Sequence, residues 1–493
     1  MSRYILGIDQ GTTLTTALVL DEAGRRVAVN SAPVPVQFPE PGRVEQPPEA
    51  IVRSVIEAAT PLVERYPISA VGLDNQGETF LLWDRASGEP LTPAVVWQDK
   101  RGLDQCQSLE QAGYLPMVRQ KTGLRLDPYF SASKLSWFLE RDITLRERAA
   151  AGEVCFGTTD TWVLWNLAGR VHITDPSTAA RTLLYNIHDL RWDEELLRLF
   201  DIPVAILPDV VGSTGELAEL RLPGAPPIPV TSMLCDQPAA LFGQGCLNAG
   251  QAKCSLGTGA FVLMNIGQRA AESAHSLLST VAWRVGDRTD YALDGGIFVA
   301  GAAVQWLRDG LGIVERVEDS AELALAAKPD ATVFVPSLAG LAAPHWLPEA
   351  GGVFLGLSRG TGRAELCRAV LDGVALRIVD VVRAMEADSG QSLPSLRVDG
   401  GPSTNRYLMQ RLADLLGIPV AVASEPESTA LGVGWLAEHA AFGTPLDTIA
   451  ARWSSGALYE PRMVATERDV VLERWERALG ALRYYHGVEE SYS

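Results

Sequence analysis

The chain has 493 residues, of which 47% are hydrophobic and 21% are charged, and its formal net charge is −18. One hydrophobic core stops growing at about 250–300 residues, so we expect at least two domains with a cleft between them. The 60 acidic residues outnumber the 42 basic ones, which argues against a nucleic-acid or anionic-membrane partner, since either needs a basic surface. Any bound phosphate must then be held locally, by backbone amides and a metal.

The cysteine pattern and the hydropathy of the chain predict the cellular compartment of the protein. The six cysteines are scattered, without a C-x-x-C pair or a His cluster, so neither a zinc site nor a disulfide framework is expected. The N-terminal apolar run after Met1-Ser2-Arg3 is too short for a signal peptide. No later stretch reaches the ~18 apolar residues that a membrane-spanning helix needs. We therefore expect a cytoplasmic protein without a membrane partner, and the sequence leaves a homodimer open.

Two similar strand-turn-strand patterns occur along the chain. The apolar segments Tyr4–Ile8 and Ala17–Asp21 flank a polar turn that contains Gly11. The same arrangement recurs near mid-chain, where Ala252–Leu256 and Phe261–Asn265 flank a Gly-Thr-Gly turn. Short apolar runs broken by such a turn are typical of β-hairpins. Two copies of the pattern predict a duplicated domain.

The rest of the chain alternates between strand-like and helix-like segments, which is typical of an α/β fold. Examples in chain order are Ile51–Glu64, Ala70–Leu73, Ala94–Trp97, Ser133–Arg141, Arg363–Asp388 and Ser395–Val398. The proline-rich segment Leu222–Pro229 is predicted as an irregular loop before a strand at Val230–Met233. We place the domain boundary shortly after it, near Gly245, which gives domains 1–245 and 246–493.

Three glycine-containing turns follow predicted strands, at Asp9–Thr13, Gly257–Gly259 and Asp399–Gly401. In the first turn, backbone and hydroxyl donors can face a phosphate while Asp9 faces a metal ion. Each turn taken alone is equally well explained as a tight turn. All three in this order favour a site that holds the phosphates and the nucleoside of a nucleotide.

Phosphoryl transfer also needs a base that accepts the proton of the attacking hydroxyl. Asp236 directly follows a predicted strand and precedes a helix, which suits a base, although a helix N-cap is the alternative. Glu78 follows another strand and suits substrate hydroxyls, with an exposed turn carboxylate as the alternative. Trp97, Tyr129 and Phe261 can cover substrate carbon atoms, but aromatic residues near strand ends are more often core.

Nearly end to end, the chain resembles the FGGY family of carbohydrate kinases, and within it the members that phosphorylate glycerol. The residues that carry the resemblance include Ile8–Thr13, Pro41–Gln46, Val96–Gln98, Asp127–Ser131, Gly157–Trp162, Asp236–Gln237, Gly257–Gly259, Gln305–Asp309 and Val398–Gly401. The resemblance implies an α/β fold of two duplicated ribonuclease H-like domains, of the actin and Hsp70 ATPase type, with the catalytic cleft between them.

The resemblance also implies an enzyme that uses ATP and Mg²⁺ to phosphorylate a hydroxyl of a small polyol or sugar, such as glycerol. By this resemblance Asp9 helps to hold Mg²⁺ and Asp236 is the base. The implied nucleotide-binding residues are Thr12, Thr13, Gly257, Thr258, Gly301, Gln305, Gly401 and Asn405. The implied substrate-binding residues are Gly77, Glu78, Trp97, Tyr129, Asp236, Gln237 and Phe261.

Three departures from the family pattern leave alternatives open. Family members that phosphorylate glycerol usually have Arg where this chain has Gly77, so a four- or five-carbon polyol or a ketose is the alternative substrate. Thr16 replaces a basic residue near the phosphates, and Leu222–Pro229 replaces a loop that binds an inhibitory sugar bisphosphate in some members. A non-enzymatic nucleotide-dependent regulator is a further alternative, which the presence of both Asp9 and Asp236 opposes.

Overall fold

The computed structural model describes residues 3–487. The N-terminal Met1-Ser2 and the predicted domain limits at residues 1 and 493 therefore lie outside the described residues. Within residues 3–487, no helix combines the length and the apolar character that crossing a bilayer requires. All six cysteines are buried and carry free thiols.

The first half of the chain builds one large sheet and a long insertion. Its elements are β1 (Tyr4–Gln10), β2 (Leu14–Leu20), β3 (Arg26–Pro33), β4 (Glu45–Gln46), α1 (Pro48–Val63), β5 (Ile68–Asn75), β6 (Phe80–Asp84), β7 (Ala94–Val95), α2 (Leu103–Gln111), α3 (Leu115–Thr122), α4 (Ser131–Arg141), α5 (Ile143–Ala150), β8 (Val154–Thr158), α6 (Thr159–Leu167), β9 (Ile173–Thr174), α7 (Pro176–Ala179), β10 (Tyr185–Asn186), β11 (Arg191–Trp192), α8 (Glu194–Phe200), β12 (Asp209–Val210), β13 (Thr214–Leu220), β14 (Ile228–Cys235) and α9 (Asp236–Gly243).

The second half builds the other large sheet. Its elements are β15 (Ala252–Leu256), β16 (Ala260–Gly267), β17 (Leu278–Val285), β18 (Arg288–Ile297), α10 (Gly301–Asp309), α11 (Ser320–Leu325), β19 (Val333–Val335), β20 (Val353–Leu355), α12 (Arg363–Ser389), β21 (Leu396–Asp399), α13 (Arg406–Leu416), β22 (Val420–Ala423), α14 (Ser428–Phe442), α15 (Leu446–Ala450), β23 (Ser455–Tyr459) and α16 (Ala465–Tyr485). Short 3-10 helices occur at Val204–Ile206, Val317–Asp319 and Gly401–Thr404.

The two large sheets share one topology. The first has the order β13-β14-β5-β1-β2-β3, and the second has the order β17-β18-β16-β15-β21-β22-β23. In the first, β1 pairs antiparallel with β2 and parallel with β5. In the second, β15 pairs in the same way with β16 and β21. The predicted hairpins and the duplication they indicated are therefore present.

The proline-rich loop is shorter than predicted, because β14 already starts at Ile228 and contains Pro229. Pro229 pairs only with Glu219 of β13, and pairing with β5 begins at Val230. A proline lacks an N–H donor, so it is tolerated where a strand has a neighbour on one side only. The prediction that the loop reaches Pro229 was wrong for this reason.

The insertion between β5 and β14 forms one wall of the cleft. It contributes β6, β7 and β8 to a small sheet of order β4-β7-β6-β8, in which β4 comes from the segment before α1. It also contains the helices α2 to α8. Its own apolar core includes Phe80, Leu135 and Phe156. This core holds the loops that carry the predicted substrate-binding residues Trp97 and Tyr129.

A helical layer joins the two halves. α9 packs on strands of both large sheets, and α14 packs on β1, β5 and β14 although it belongs to the second half of the chain. The hydroxyl of Ser232 in β14 donates to the carbonyl of Val433 in α14 at 2.8 Å. One apolar core contains Leu234 and Ala239 of the first half together with Leu263 and Leu436 of the second. The predicted boundary near Gly245 thus lies beside a core that both halves share.

Backbone contact between α9 and α14 depends on glycine. A Cβ added to Gly432 would lie 1.9 Å from the carbonyl oxygen of Ala239, and one added to Gly243 would lie 1.9 Å from that of Ser428. A Cβ on Gly7 in β1 would lie 2.1 Å from the backbone of α14. Side chains at these positions would push the helical layer away from its neighbours.

We expect Gly432→Ala to destabilise the protein by about 1–3 kcal/mol, the usual cost of overpacking a core. The matched control is Gly480→Ala in α16, where no heavy atom lies within 4 Å of the added Cβ. Removing a helix-interior glycine there should be neutral or stabilise by up to about 1 kcal/mol. Urea unfolding midpoints measure both effects. Equal midpoints for the two variants would contradict the close crossing of α9 and α14.

Candidate active site

Three acidic side chains meet at one edge of the first sheet. β1, β5 and β14 run parallel, so their carboxyl ends lie at the same edge. In this register Asp9 of β1 is opposite Asp74 of β5, and Leu234 of β14 is opposite Asp74 from the other side. Asp236 follows β14 directly. The sheet itself therefore brings together the predicted metal ligand Asp9, the predicted base Asp236 and a third carboxylate, Asp74.

Burial makes this group of carboxylates costly to ionise. Desolvation raises the pKa of Asp9 to about 7, and Asp236 and Glu427 add to the increase. Desolvation, followed by the charge of Asp9, raises the pKa of Asp74 well above its usual range. Apart from the Asp9 carboxyl beside it, Asp74 has no hydrogen-bond donor to its carboxylate oxygens among residues 3–487. The edge thus favours a cation that can offset its negative charge.

The turn after β1 is tied to the predicted substrate pocket. The amide of Gly11 donates to the carbonyl of Leu14 at 3.1 Å and closes the turn. The indole N–H of Trp97 donates to the hydroxyl of Thr12 at 3.1 Å, while Thr13 is exposed. A predicted substrate-binding residue and a predicted phosphate-binding residue are therefore in direct contact.

Aromatic side chains line the insertion side of the cleft. The rings of Trp97 and Tyr129 pack with their centroids 5.2 Å apart. The buried ammonium of Lys134 in α4 donates to the carbonyls of Trp97 at 3.3 Å and Tyr129 at 3.0 Å. Both aromatic residues are half-buried, as is Phe261 at the start of β16. All three rings keep part of their surface exposed, and Tyr129 also packs against the apolar core of the insertion, so a contact with substrate carbon atoms stays a prediction.

Glu78 belongs to a buried ion-pair network that spans the two halves of the chain. Its carboxylate accepts a hydrogen bond from Nε of Arg181 at 2.7 Å, and Nη1 of Arg181 donates to Asp294 of β18 at 3.1 Å. Only 4% of Glu78 is exposed, so the alternative of an exposed turn carboxylate was wrong. Burial raises the pKa of Glu78 to about 7, although the charge of Arg181 opposes the increase.

Asp236 is the first residue of α9, and Cys235 occupies the N-cap position, so the N-cap alternative was wrong. Its Oδ1 accepts hydrogen bonds from the amide of Gln237 at 2.7 Å and from the thiol of Cys235 at 3.4 Å. Desolvation raises the pKa of Asp236, while these two hydrogen bonds and the charges of Lys253 and Arg181 lower it. The carboxylate is half-buried at the mouth of the cleft and can accept a proton there.

Lys253 is a buried cation behind the predicted base. It lies in β15, is fully buried, and donates to Oε1 of Gln237 at 2.6 Å and to the hydroxyl of Ser255 at 3.0 Å. Desolvation lowers its pKa, while the charges of Asp399, Asp236 and Asp294 raise it. Lys253 therefore connects the second sheet with the Asp236-Gln237 pair of the first half.

The turn after β15 faces the start of α10. The amide of Gly301 donates to the carbonyl of Gly257 at 3.0 Å, and the amide of Ala300 donates to that of Thr258 at 2.9 Å. A Cβ on Gly301 would lie 2.5 Å from the oxygen of Gly257, so only glycine allows this contact. Thr258 in this turn and Gln305 in α10 are both exposed.

The turn after β21 contains the remaining predicted nucleotide-binding residues. Gly401 is exposed, and a Cβ there would meet no atom within 4 Å. The side chain of Asn405 caps α13 by accepting from the amide of Leu408 at 3.0 Å, and its Nδ2 donates to Ser320 at 3.0 Å. The polar atoms of Asn405 are therefore already engaged, and a nucleotide contact by this side chain remains a prediction.

The backbone at Gly77 favours glycine. Its φ is +69°, in the left-handed region, and an added Cβ would lie 3.2 Å from the Sγ of Cys235 and 3.9 Å from Oδ1 of Asp236. The residue is buried between Asp236 and Glu78. Any larger side chain here would strain the backbone and point beside the predicted base.

The sequence reasoning missed several charged residues of the site: Asp74, Lys134, Arg181, Lys253 and Asp294. Two of them carried a local signal. Asp74 ends a strand just as Asp9 does, and Lys253 is a lone cation within an apolar strand. Arg181, Lys134 and Asp294 carried none, because their place in the site depends on packing between distant segments.

Comparisons with known proteins agree with this geometry. The model of the FGGY family of carbohydrate kinases, N-terminal domain, matches residues 4–243, and that of the C-terminal domain matches residues 252–441. The chain is 47% identical to a glycerol kinase of Alkalilimnicola ehrlichii, covering 96% of this chain and 97% of that one. It is 46% identical to a glycerol kinase of Thermus brockianus, covering 97% and 98%.

Solved structures with the same fold include a Plasmodium falciparum glycerol kinase with ADP, which has a TM-score of 0.92 and 29% identity over 98% of both chains. A xyloylose kinase from Brucella ovis has a TM-score of 0.89 and 26% identity over 99% of this chain and 100% of that one. The predicted family, duplicated fold and reaction class are confirmed. The chain therefore belongs to the FGGY family of carbohydrate kinases and is an ATP-dependent kinase of a sugar or polyol, with a glycerol kinase-like function.

Proposed function

We propose that the enzyme transfers the γ-phosphoryl group of ATP to a hydroxyl of glycerol, with Asp236 as the general base. The observation that carries this proposal is the position of the Asp236 carboxylate. It is half-buried at the mouth of the cleft. Its charge acts on Asp9 at the end of β1, and the charges of Lys253 and Arg181 lower its pKa. A hydroxyl bound against Trp97 and Tyr129 has this carboxylate as its proton acceptor.

The two buried cations support the role of Asp236. A base must be ionised to accept a proton, and burial alone would keep Asp236 protonated. The charges of Lys253 and Arg181 oppose that effect by lowering its pKa. Lys253 also fixes Gln237 beside the base through a 2.6 Å hydrogen bond.

Asp9 and Asp74 fit a magnesium ion. Their oxygen ligands suit a hard cation, and apart from the neighbouring Asp9 carboxyl, Asp74 has no hydrogen-bond partner among residues 3–487. Within the same residues, no group of three or more His, Cys, Asp or Glu side chains is arranged to hold a metal. This agrees with the usual coordination of Mg²⁺, which keeps several water ligands and binds to one or two carboxylates together with phosphates. Bound there, Mg²⁺ would neutralise charge on the phosphate oxygens.

The phosphate-binding turns come from both halves of the chain. We assign phosphate contacts to Thr12 and Thr13 after β1 and to Gly257 and Thr258 after β15. Gly301, Gln305, Gly401 and Asn405 would border the nucleoside. Thr13, Thr258 and Gln305 are exposed and so are free to contact a ligand, which supports these roles. One nucleotide would then contact both large sheets, as the duplicated topology allows.

A larger substrate is the second candidate, and Gly77 is the observation that favours it. Glycerol has few polar groups, so a guanidinium at this position would contribute much of its affinity. Gly77 brings no side chain, so this residue does not occupy the space that a guanidinium would take beside Asp236 and Glu78. A polyol or ketose with four or five carbons can fill that space and contribute hydroxyls of its own.

Asp236→Asn should lower kcat by at least ~100-fold, because an amide cannot accept the proton. The amide has the shape of the carboxylate, so we expect nucleotide affinity, measured by calorimetry, to stay within a few-fold of wild type. Thermal unfolding provides the folding control. A variant with near-normal kcat would exclude Asp236 as the base.

The pH dependence of kcat/KM for the phosphoryl acceptor should show an acid limb above the pH expected for an ordinary aspartate, whose pKa is about 3.9. The base works only when ionised, and its pKa is raised by burial, so activity falls as the pH drops through that raised value. Lys253→Gln removes a charge that lowers this pKa while keeping an N–H donor, so the limb should move to higher pH. A profile with no acid limb above the pH expected for an ordinary aspartate, or one that does not move in Lys253→Gln, would contradict this assignment.

Gly77→Arg tests the role of the missing guanidinium, with Gly77→Ala as the matched control. Both variants bear the same left-handed backbone strain, so their comparison isolates the guanidinium. One hydrogen bond to a charged group contributes about 1.5–3 kcal/mol, which is roughly 10- to 150-fold. Relative to Gly77→Ala, Gly77→Arg should therefore raise the ratio of kcat/KM for glycerol over that for a tetritol by at least about tenfold. Equal ratios in the two variants, or a wild-type enzyme that turns over glycerol alone, would show that Gly77 does not set substrate size.

A further inference from the structure

Asp294 has a buried carboxylate oxygen, Oδ1, that accepts no hydrogen bond from residues 3–487. It lies in β18, and its side chain is 5% exposed. Its Oδ2 accepts from Nη1 of Arg181, but its Oδ1 is enclosed and has no hydrogen-bond partner among residues 3–487. Leaving a buried carboxylate oxygen without a donor is unfavourable. Such an atom is therefore expected to meet a donor that arrives with a ligand.

Arg181 provides a donor beside this acceptor. Its Nε and Nη1 donate to Glu78 and Asp294, while its Nη2 donates to no partner in residues 3–487. One guanidinium thus presents a free N–H group next to a free carboxylate oxygen. A hydroxyl both donates and accepts a hydrogen bond, so this pair suits an alcohol.

The pair belongs to the wall of the substrate cleft. The guanidinium of Arg181 lies 5.7 Å from the ring centroid of Tyr129. In β18, Asp294 is two residues before Gly296, which is paired with Phe261 of β16, so both positions lie on one face of the sheet. Glu78 and Asp294 are bridged by the same guanidinium and therefore lie close together.

The surrounding charges define the class of ligand. The carboxylates of Glu78, Asp294 and Asp236 all act on Tyr129 and would repel an anion. A sugar acid or a phosphorylated sugar is therefore disfavoured at this position, whereas a neutral hydroxyl is not. Because Gly77 places no guanidinium beside Asp236 and Glu78, a chain longer than three carbons can extend toward the pair.

We infer that Asp294 Oδ1 and Arg181 Nη2 form a subsite that binds an additional hydroxyl of a neutral polyol with four or more carbons. This inference rests on the proposed function, in which Asp236 activates a hydroxyl at the other end of the same substrate. It assigns a specificity-determining role to Asp294, a residue of the second sheet, and makes Arg181 a positioning residue for Glu78 as well.

The test compares erythritol, threitol and glycerol as acceptors in the wild type and in Asp294→Asn. Asparagine keeps the shape and an acceptor for Arg181 but can present an N–H donor where Oδ1 accepts. We expect kcat/KM for the preferred tetritol to fall at least tenfold more than kcat/KM for glycerol, mainly through KM. We also expect the four-carbon acid erythronate to be turned over poorly by the wild type.

The matched control is Asp380→Asn, which changes another buried Arg–Asp pair, Arg377–Asp380. It should leave the tetritol-to-glycerol ratio unchanged even if it lowers stability. A wild type that phosphorylates glycerol but neither tetritol, or an Asp294→Asn ratio equal to that of Asp380→Asn, overturns the subsite and leaves the proposed function intact. A wild type that phosphorylates none of the three polyols overturns both.

Discussion

Parallel pairing of β1, β5 and β14 is the constraint on which the site depends. It fixes Asp9 opposite Asp74 and delivers Asp236 to the same edge. Loss of solvent raises the pKa values of all three, and repulsion from neighbouring carboxylates adds to the increase for Asp9 and Asp74. The protein offsets this charge with two buried cations, Arg181 and Lys253, and the oxygens of Asp74 suit a metal ion. A sheet register thus dictates the electrostatics of a kinase site.

The second sheet completes the site through a few long-range contacts. Lys253 and Asp294, both on its strands, bond to Gln237 and Arg181 of the first half. The helical layer holds the residues of these contacts in position. α9 starts at Asp236 and ends at Gly243, and Gly243 contacts α14. The proposed base therefore lies at one end of a short helix whose other end packs between the two halves. Relative movement of the halves would change the surroundings of Asp236 and Glu78 together.

Much of the fold could be predicted from sequence because its signals are local. The β1-β2 and β15-β16 hairpins were visible as short apolar runs around glycine turns, and α12 was predicted almost to its ends. The resemblance to a family gave the roles proposed for Asp9 and Asp236. The environment of these residues could not be predicted in the same way. Arg181 is about 100 residues from both Glu78 and Asp294 in the chain, and no local pattern marks a contact at that distance. The left-handed backbone of Gly77 could not be predicted from the sequence either. Because of this backbone, a test that adds the missing arginine needs Gly77→Ala as a control for strain.

The most direct test of the account is a crystal structure of the enzyme with Mg²⁺, a non-hydrolysable ATP analogue and a bound polyol. We expect one substrate hydroxyl within about 2.6–3.2 Å of the Asp236 carboxylate, the reach of a general base, and in line with the γ-phosphorus. We expect Mg²⁺ to be bound by Asp9, directly or through a water, and the phosphates to contact the turns after β1 and β15. A polyol bound away from Asp236, or a metal ion that contacts neither Asp9 nor Asp74, would contradict the account.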